Sequence, residues 1–192
     1  MTFNQAVFAG AEISKGRKPV TFAALDRELN IVALETWSMP RFLSCLSDYE
    51  KILLALTSGM QSPVSGDFKS QLTESGLKSL SGEADPRRFV ETDAQDCFRA
   101  LISGDLLPRR TLEGRIQRSL ILFEEGFQIR DPMDFFEEIT RHKLLQGILP
   151  REYLYSSREL NALLVAYVAW MVINRPHLIE RLPKNFVLPK AV

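Results

Sequence analysis

Short apolar runs separated by polar turns open the chain. AVFAGAEI (6–13), KPVTFAALD (18–26) and NIVALETW (30–37) are each of strand length. A turn containing Gly16 joins the first two and DRELN joins the second and third, both short enough for hairpins. The pattern predicts a three-stranded antiparallel meander. The period then changes. Ser38 offers an N-cap, Pro40 falls in the first turn, and apolar residues at 42, 43 and 46 have helical spacing. KILLALT (51–57) is apolar on both faces, as a central parallel strand is, and the preceding helix supplies the crossover that parallel pairing needs.

Residues 58–86 are rich in Ser and Gly and predict a mobile connection with one weak helix near 68–80. RRFVETD (87–93) reads as a fifth strand and AQDCFRALI as a short helix. The rest is helical in pattern. Thr111 caps LEGRIQRSLILFEEG, which ends at Gly126, and Asp131-Pro132 starts MDFFEEITRHKLLQGIL. Ser156 or Ser157 caps a long apolar helix that stops before Pro176. The tail from His177 is mixed and is expected on the surface.

The predicted architecture is therefore α/β. One domain, 1–192, holds a mixed five-stranded sheet, a three-stranded antiparallel meander plus two parallel strands, covered by helices, with a flexible insertion at about 58–86. This is the arrangement of the ribonuclease H-like fold, in which strand 1 lies centrally beside strand 4 with strand 5 beyond.

Composition narrows the function. The 192 residues carry 24 Lys and Arg against 24 Asp and Glu, so no global field draws the chain to nucleic acid or a membrane, and any anion site must be a local patch. Cys45 and Cys97 fall in apolar helical contexts and read as free thiols. The apolar stretch Asn161–Ile173 is too short to span a bilayer, and the N-terminus carries no secretion pattern. A cytoplasmic protein without a membrane role is expected. No Cys-x-x-Cys, G-x-S-x-G or P-loop pattern occurs, and His142 and His177 sit in charged or Pro-flanked contexts that suit solvated side chains. Tyr167 and Trp170, at helical spacing, suit a core better than a base-stacking platform.

Four segments in order carry a family resemblance over most of the chain: FAGAEIS (8–14), LALTSGMQSP (54–63), the stretch from FVETD through PRRTLEGRIQR (89–118), and NALLVAYVAWM (161–171). Together they resemble the domain of unknown function 429 family, described as predicted nucleases of ribonuclease H-like fold. The resemblance implies acids at four places. Glu12 stands where the family has Asp on strand 1, Thr57 where it has Asp ending strand 4, and Asn161 where it has Asp opening the last helix, while Glu91 stands unchanged.

These differences bear on chemistry. Two-metal phosphoryl transfer holds two Mg²⁺ or Mn²⁺ ions roughly 3.5–4 Å apart with several carboxylates. Thr57 and Asn161 remove two of those charges. Glu12 and Glu91, on strands roughly 10 Å apart, are expected to reach one ion at most. The plainer reading makes Glu12 a solvated acid paired with Lys15 or Arg17, Glu91 a partner of Arg87 or Arg88, and Asn161 a side chain bonded to local backbone.

PRRTLEGRIQR supplies a second candidate. Arg109, Arg110, Arg115 and Arg118 surround a helix start with Thr111 as N-cap and Gly114 in the first turn, a pattern suited to phosphate. Its plainer reading is a charged surface with Arg115 and Arg118 paired to Glu113 or Glu124. Three functions follow. The favoured one is a catalytically degenerate ribonuclease H-like protein that binds nucleic acid, a nucleotide or another phosphate-bearing ligand. The others are a Mg- or Mn-dependent nuclease with an altered one-metal site, and a structural or homo-oligomerisation module.

Overall fold

Eight strands form one mixed sheet in the computed structural model, which describes residues 7–13, 19–59, 63–80 and 85–191. β1 (Val7–Glu12), β2 (Val20–Leu25) and β3 (Ile31–Trp37) make the antiparallel meander. The turn at 26–30 is fixed by the Asp26 carboxylate, which accepts from the backbone N–H groups of Glu28 and Asn30, while Leu29 takes a positive φ of 62°. The turn at Gly16 lies outside the described residues.

α1 (Met39–Leu46) crosses over to β4 (Ile52–Thr57), which runs parallel to β1. β6 (Arg87–Thr92) runs parallel to β4 on its far side. The strand order is β3-β2-β1-β4-β6-β8 (Phe186–Pro189)-β7 (Ile179–Leu182), with β5 (Lys78–Ser79) also on β6. β1 and β4 are central, which is why VFAGA and ILLAL are buried throughout, whereas edge strand β3 is half-exposed.

The sheet is larger than the five strands expected. β7 (Ile179–Leu182) and β8 (Phe186–Pro189) form an antiparallel hairpin from the C-terminal tail, and β8 joins the sheet beside Glu91. The hairpin turns at Pro183–Asn185, where Lys184 and Asn185 both have positive φ. Asn185 fastens it by donating to Phe89 O at 2.7 Å and accepting from Leu80 N at 3.2 Å. The tail is thus part of the sheet.

The 58–86 segment also carries more structure than expected. Its described residues include α2 (Gly66–Glu74), capped by Ser65, and β5 (Lys78–Ser79), which pairs with the start of β6. Phe68 and Leu72 of α2 are buried with Phe42 and Leu46 of α1 on one face of the sheet.

The opposite face is covered by α3 (Ala94–Ala100), α4 (Leu112–Glu124) and α7 (Ser157–Asn174). Ser156 starts α7 through a reciprocal capping box with Glu159. α7 comes so close to β1 that a Cβ on Gly10 would lie 2.1 Å from Ala162 O and 2.5 Å from Ala166 N. Only glycine permits that approach.

Between α4 and α7 the expected single helix from Met133 is two short ones, α5 (Asp134–Glu137) and α6 (Arg141–Leu145). Thr140 interrupts it. Its extended backbone and its hydroxyl, which accepts from Lys143 N, make it the N-cap of α6.

Candidate functional site

Neighbouring residues across a sheet point the same way, so register decides which acids meet. Leu56 pairs with Ala11 and with Glu91, and Thr57 pairs with Thr92. Glu12, Thr57 and Thr92 therefore form a row on the α7 face at the C-terminal ends of three parallel strands. Glu91 points to the α1–α2 face. The acids expected to converge stand on opposite sides of the sheet, and the place foreseen for Glu91 is held by Thr92. Thr92 is buried and donates to Val187 O at 2.6 Å, which ties the row to the C-terminal hairpin.

Asn161, in the first turns of α7, does reach Glu12, as does Thr57. Thr57 lies across the end of the β1–β4 ladder, accepting from Ile13 N at 3.0 Å, with its one hydroxyl hydrogen shared between Ala11 O at 3.1 Å and the Glu12 carboxylate. A carboxylate could not donate there, so the hydroxyl has a backbone task of its own.

The polarity of Asn161 is set from a distance. Arg118 has only donors, and its Nη2 donates to Gln95 Oε1 at 2.8 Å. The Gln95 amide must then turn its nitrogen outward, and Nε2 donates to Asn161 Oδ1 at 3.1 Å. This leaves the Asn161 NH₂ group for Glu12. Asn161 is buried and bonded through its side chain, not to local backbone as its plainer reading supposed.

Burial pushes the Glu12 carboxyl above the usual carboxylate range; hydrogen bonds from Thr57 and Asn161 and the charges of Arg158 and Arg109 pull against that rise. Lys15 and Arg17, foreseen as its partners, lie outside the described residues.

This donor set does not fit a divalent ion. A metal site needs converging oxygens, but Asn161 offers N–H and the Thr57 oxygen already serves the ladder. Glu12 is the one carboxylate of the row, and no group of three His, Cys, Asp or Glu suited to a metal occurs among the described residues.

Glu91 is itself nearly sealed. Its Oε1 is paired with the Lys69 ammonium, and its Oε2 accepts from Val64 N at 2.9 Å. The expected partners Arg87 and Arg88 are not the ones it uses; Arg87 donates to Leu46 O and Ser75 O. A cavity of about 200 Å³ beside Glu91 is lined by Pro63, Leu182, Pro183 and Phe186.

The helix start at Thr111 is also largely occupied. The Thr111 hydroxyl accepts from Gly114 N at 3.0 Å and donates to Pro108 O at 2.9 Å. A Cβ on Gly114 would lie 2.0 Å from Pro108 O, so this glycine admits the chain's own loop rather than a ligand. Arg115 donates to Tyr155 O and Leu154 O, each at 2.8 Å. Arg118 is 1 % exposed, bonds Leu107 O and Gly114 O, and lies over the Phe98 ring. Burial pushes its guanidinium down, with Arg109 and Arg99 adding repulsion. Neither Arg115 nor Arg118 pairs with Glu113 or Glu124. Of the six residues expected to hold phosphate, Arg109 and Arg110 keep exposed side chains beyond the helix start.

Gln95 and Lys69 are site residues that sequence reasoning missed. Gln95 has no sequence signal, being one polar residue in a helical first turn. Arg118 carried one: it falls on the same stripe of α4 as Gly114, Ile121 and Leu122, where a charge is costly unless bonded. Neither a family model nor a curated protein sequence matches the chain.

No helix among the described residues is long and apolar enough to cross a membrane.

Proposed function

We propose that the chain is a ribonuclease H-like domain of the domain of unknown function 429 type that has lost two-metal phosphodiester cleavage and keeps a binding role. The strand order β3-β2-β1-β4-β6, with the first three strands antiparallel and the last three parallel, supports the fold assignment. The observation that carries the loss of cleavage is the polarity of the Arg118–Gln95–Asn161 chain, which delivers an N–H donor to Glu12 where a nuclease would present oxygens to a metal.

The binding role rests on placement. Ligands of open α/β sheets collect beyond the C-terminal ends of the strands, and Glu12 lies there in the field of Arg109 and Arg158. An anion such as phosphate suits Arg109 and Arg110, which are exposed. This keeps the phosphate-bearing ligand of the favoured reading but moves it from the blocked helix start to the rim above Glu12.

Calorimetric titration with Mn²⁺ tests the first part. We expect no saturable binding below millimolar metal; micromolar binding lost in Glu12→Gln would restore a metal enzyme. Anisotropy of labelled single-stranded RNA tests the second. Arg109→Ala with Arg110→Ala should lower the salt slope of binding by about 1.4, roughly 0.7 per arginine on a single strand. Wild-type protein that fails to bind RNA or labelled ATP at low salt would remove the phosphate-bearing ligand.

A further inference from the structure

The described surface holds nine exposed large apolar residues, and five of them fall in one stretch between α4 and α7: Met133, Phe136, Leu144, Leu145 and Ile148. Leu145 is 79 % exposed, the highest of the nine. Single exposed apolar residues are ordinary, but five within sixteen residues of chain are a concentration of the kind found at interaction surfaces.

The stretch is not loose. Its inner side is anchored by Phe135, fully buried with Ile116 and Leu154 and packed against Ile139 and Tyr153. Arg130 pairs with Asp134, and Lys143 with Glu138. Those four charges are paired within the chain, although their side chains are 36–55 % exposed. The remaining charges of the two helices themselves divide by sign: Glu137 is exposed on α5, and Arg141 and His142 are exposed on α6.

We propose that this face is the contact between two copies of the chain. An acidic helix followed by a basic one, both flanked by exposed apolar side chains, is self-complementary. A two-fold axis through the face lays α5 of one copy on α6 of the other, so that Glu137 meets the other copy's Arg141 and His142 while the leucines cover each other. Isologous pairing requires that one patch carry both halves of each contact, and this patch does. An unrelated partner would need no such division of charge.

The contact is independent of the Glu12 site, and its test reads mass rather than ligand. Sedimentation velocity of the full chain over about 1–100 μM should show a concentration-dependent dimer. Leu144→Asp with Leu145→Asp should give a monomer across that range with unchanged circular dichroism, since both side chains are exposed. Glu137→Arg should weaken the dimer, and adding Arg141→Glu should restore it, because the two-fold re-pairs the exchanged charges. A wild-type monomer at the top concentration overturns the proposal. So does a dimer indifferent to the double Asp variant, or a charge exchange that fails to restore what Glu137→Arg removed.

Discussion

Glu12 and Glu91 stand at the same end of the same sheet, on opposite faces, and are treated differently. Glu91 is closed in: its side chain is 2 % exposed, paired with Lys69 and bonded to Val64 N. It serves packing, holding Val64 and Lys69, in α2 and its approach, against β6. Glu12 is partly open; among the described residues its hydrogen-bond partners are the neutral Thr57 and Asn161, Arg158 and Arg109 act at coulombic range, and burial raises its pKa. The difference teaches that an acid's place in a motif is less informative than the face it points to.

The sharpest way to break the comparison is to part β1 from α7. Gly10→Ala puts a methyl group into backbone of Ala162 and Ala166 and should cost about 3 kcal/mol or more, read by urea unfolding. The loss should also separate Asn161 from Glu12. A cost under about 1 kcal/mol would mean the two elements are not locked together.

Glu91→Gln comes next. The amide can still accept from Val64 N but abandons Lys69, itself partly exposed and able to regain water, so the cost should be about 2 kcal/mol. Thr57→Val removes the hydroxyl that bridges the β1–β4 ladder and should cost about 1 kcal/mol, together with a further rise of the Glu12 pKa seen by carboxyl NMR.

Glu12→Gln should have the smallest effect at neutral pH, and a favourable one. The folded carboxyl holds its proton above the ordinary value of 4.5, so unfolding releases a proton in that window. Wild-type stability should therefore be fully present below that value and decline as pH rises through the raised folded value. Glu12→Gln should remove that slope and leave the protein at pH 7 as stable as the wild type or more so. A variant less stable at pH 7 than at pH 5, with the wild-type slope intact, would place the titration elsewhere.

Much of the layout was legible in the sequence. Five strand segments, the crossover at Pro40, the cap at Thr111, a cap at Ser156 or Ser157 and the long buried helix follow from local pattern, because turn chemistry and apolar period act over a few residues. The β7–β8 hairpin was not legible, since IERL and FVLP are four residues each and join the sheet through residues far away in the chain, Glu91, Thr92 and Phe89. The break at Thr140 was missed because helical periodicity continues through it, while a local cap overrides it.

At the candidate site the sequence by itself determined which charges are missing. No acid lies between Lys51 and Gly66, and position 161 is Asn, whatever the register. Only the tertiary structure decided where the remaining acids point. β4 is apolar on both faces, so its pattern cannot report which side is which, and a shift of one residue in β6 exchanges Glu91 for Thr92. It also decided that Arg118, Gln95 and Asn161 form one chain of hydrogen bonds, because they come from three separate helices and meet only when α3, α4 and α7 pack on the same face.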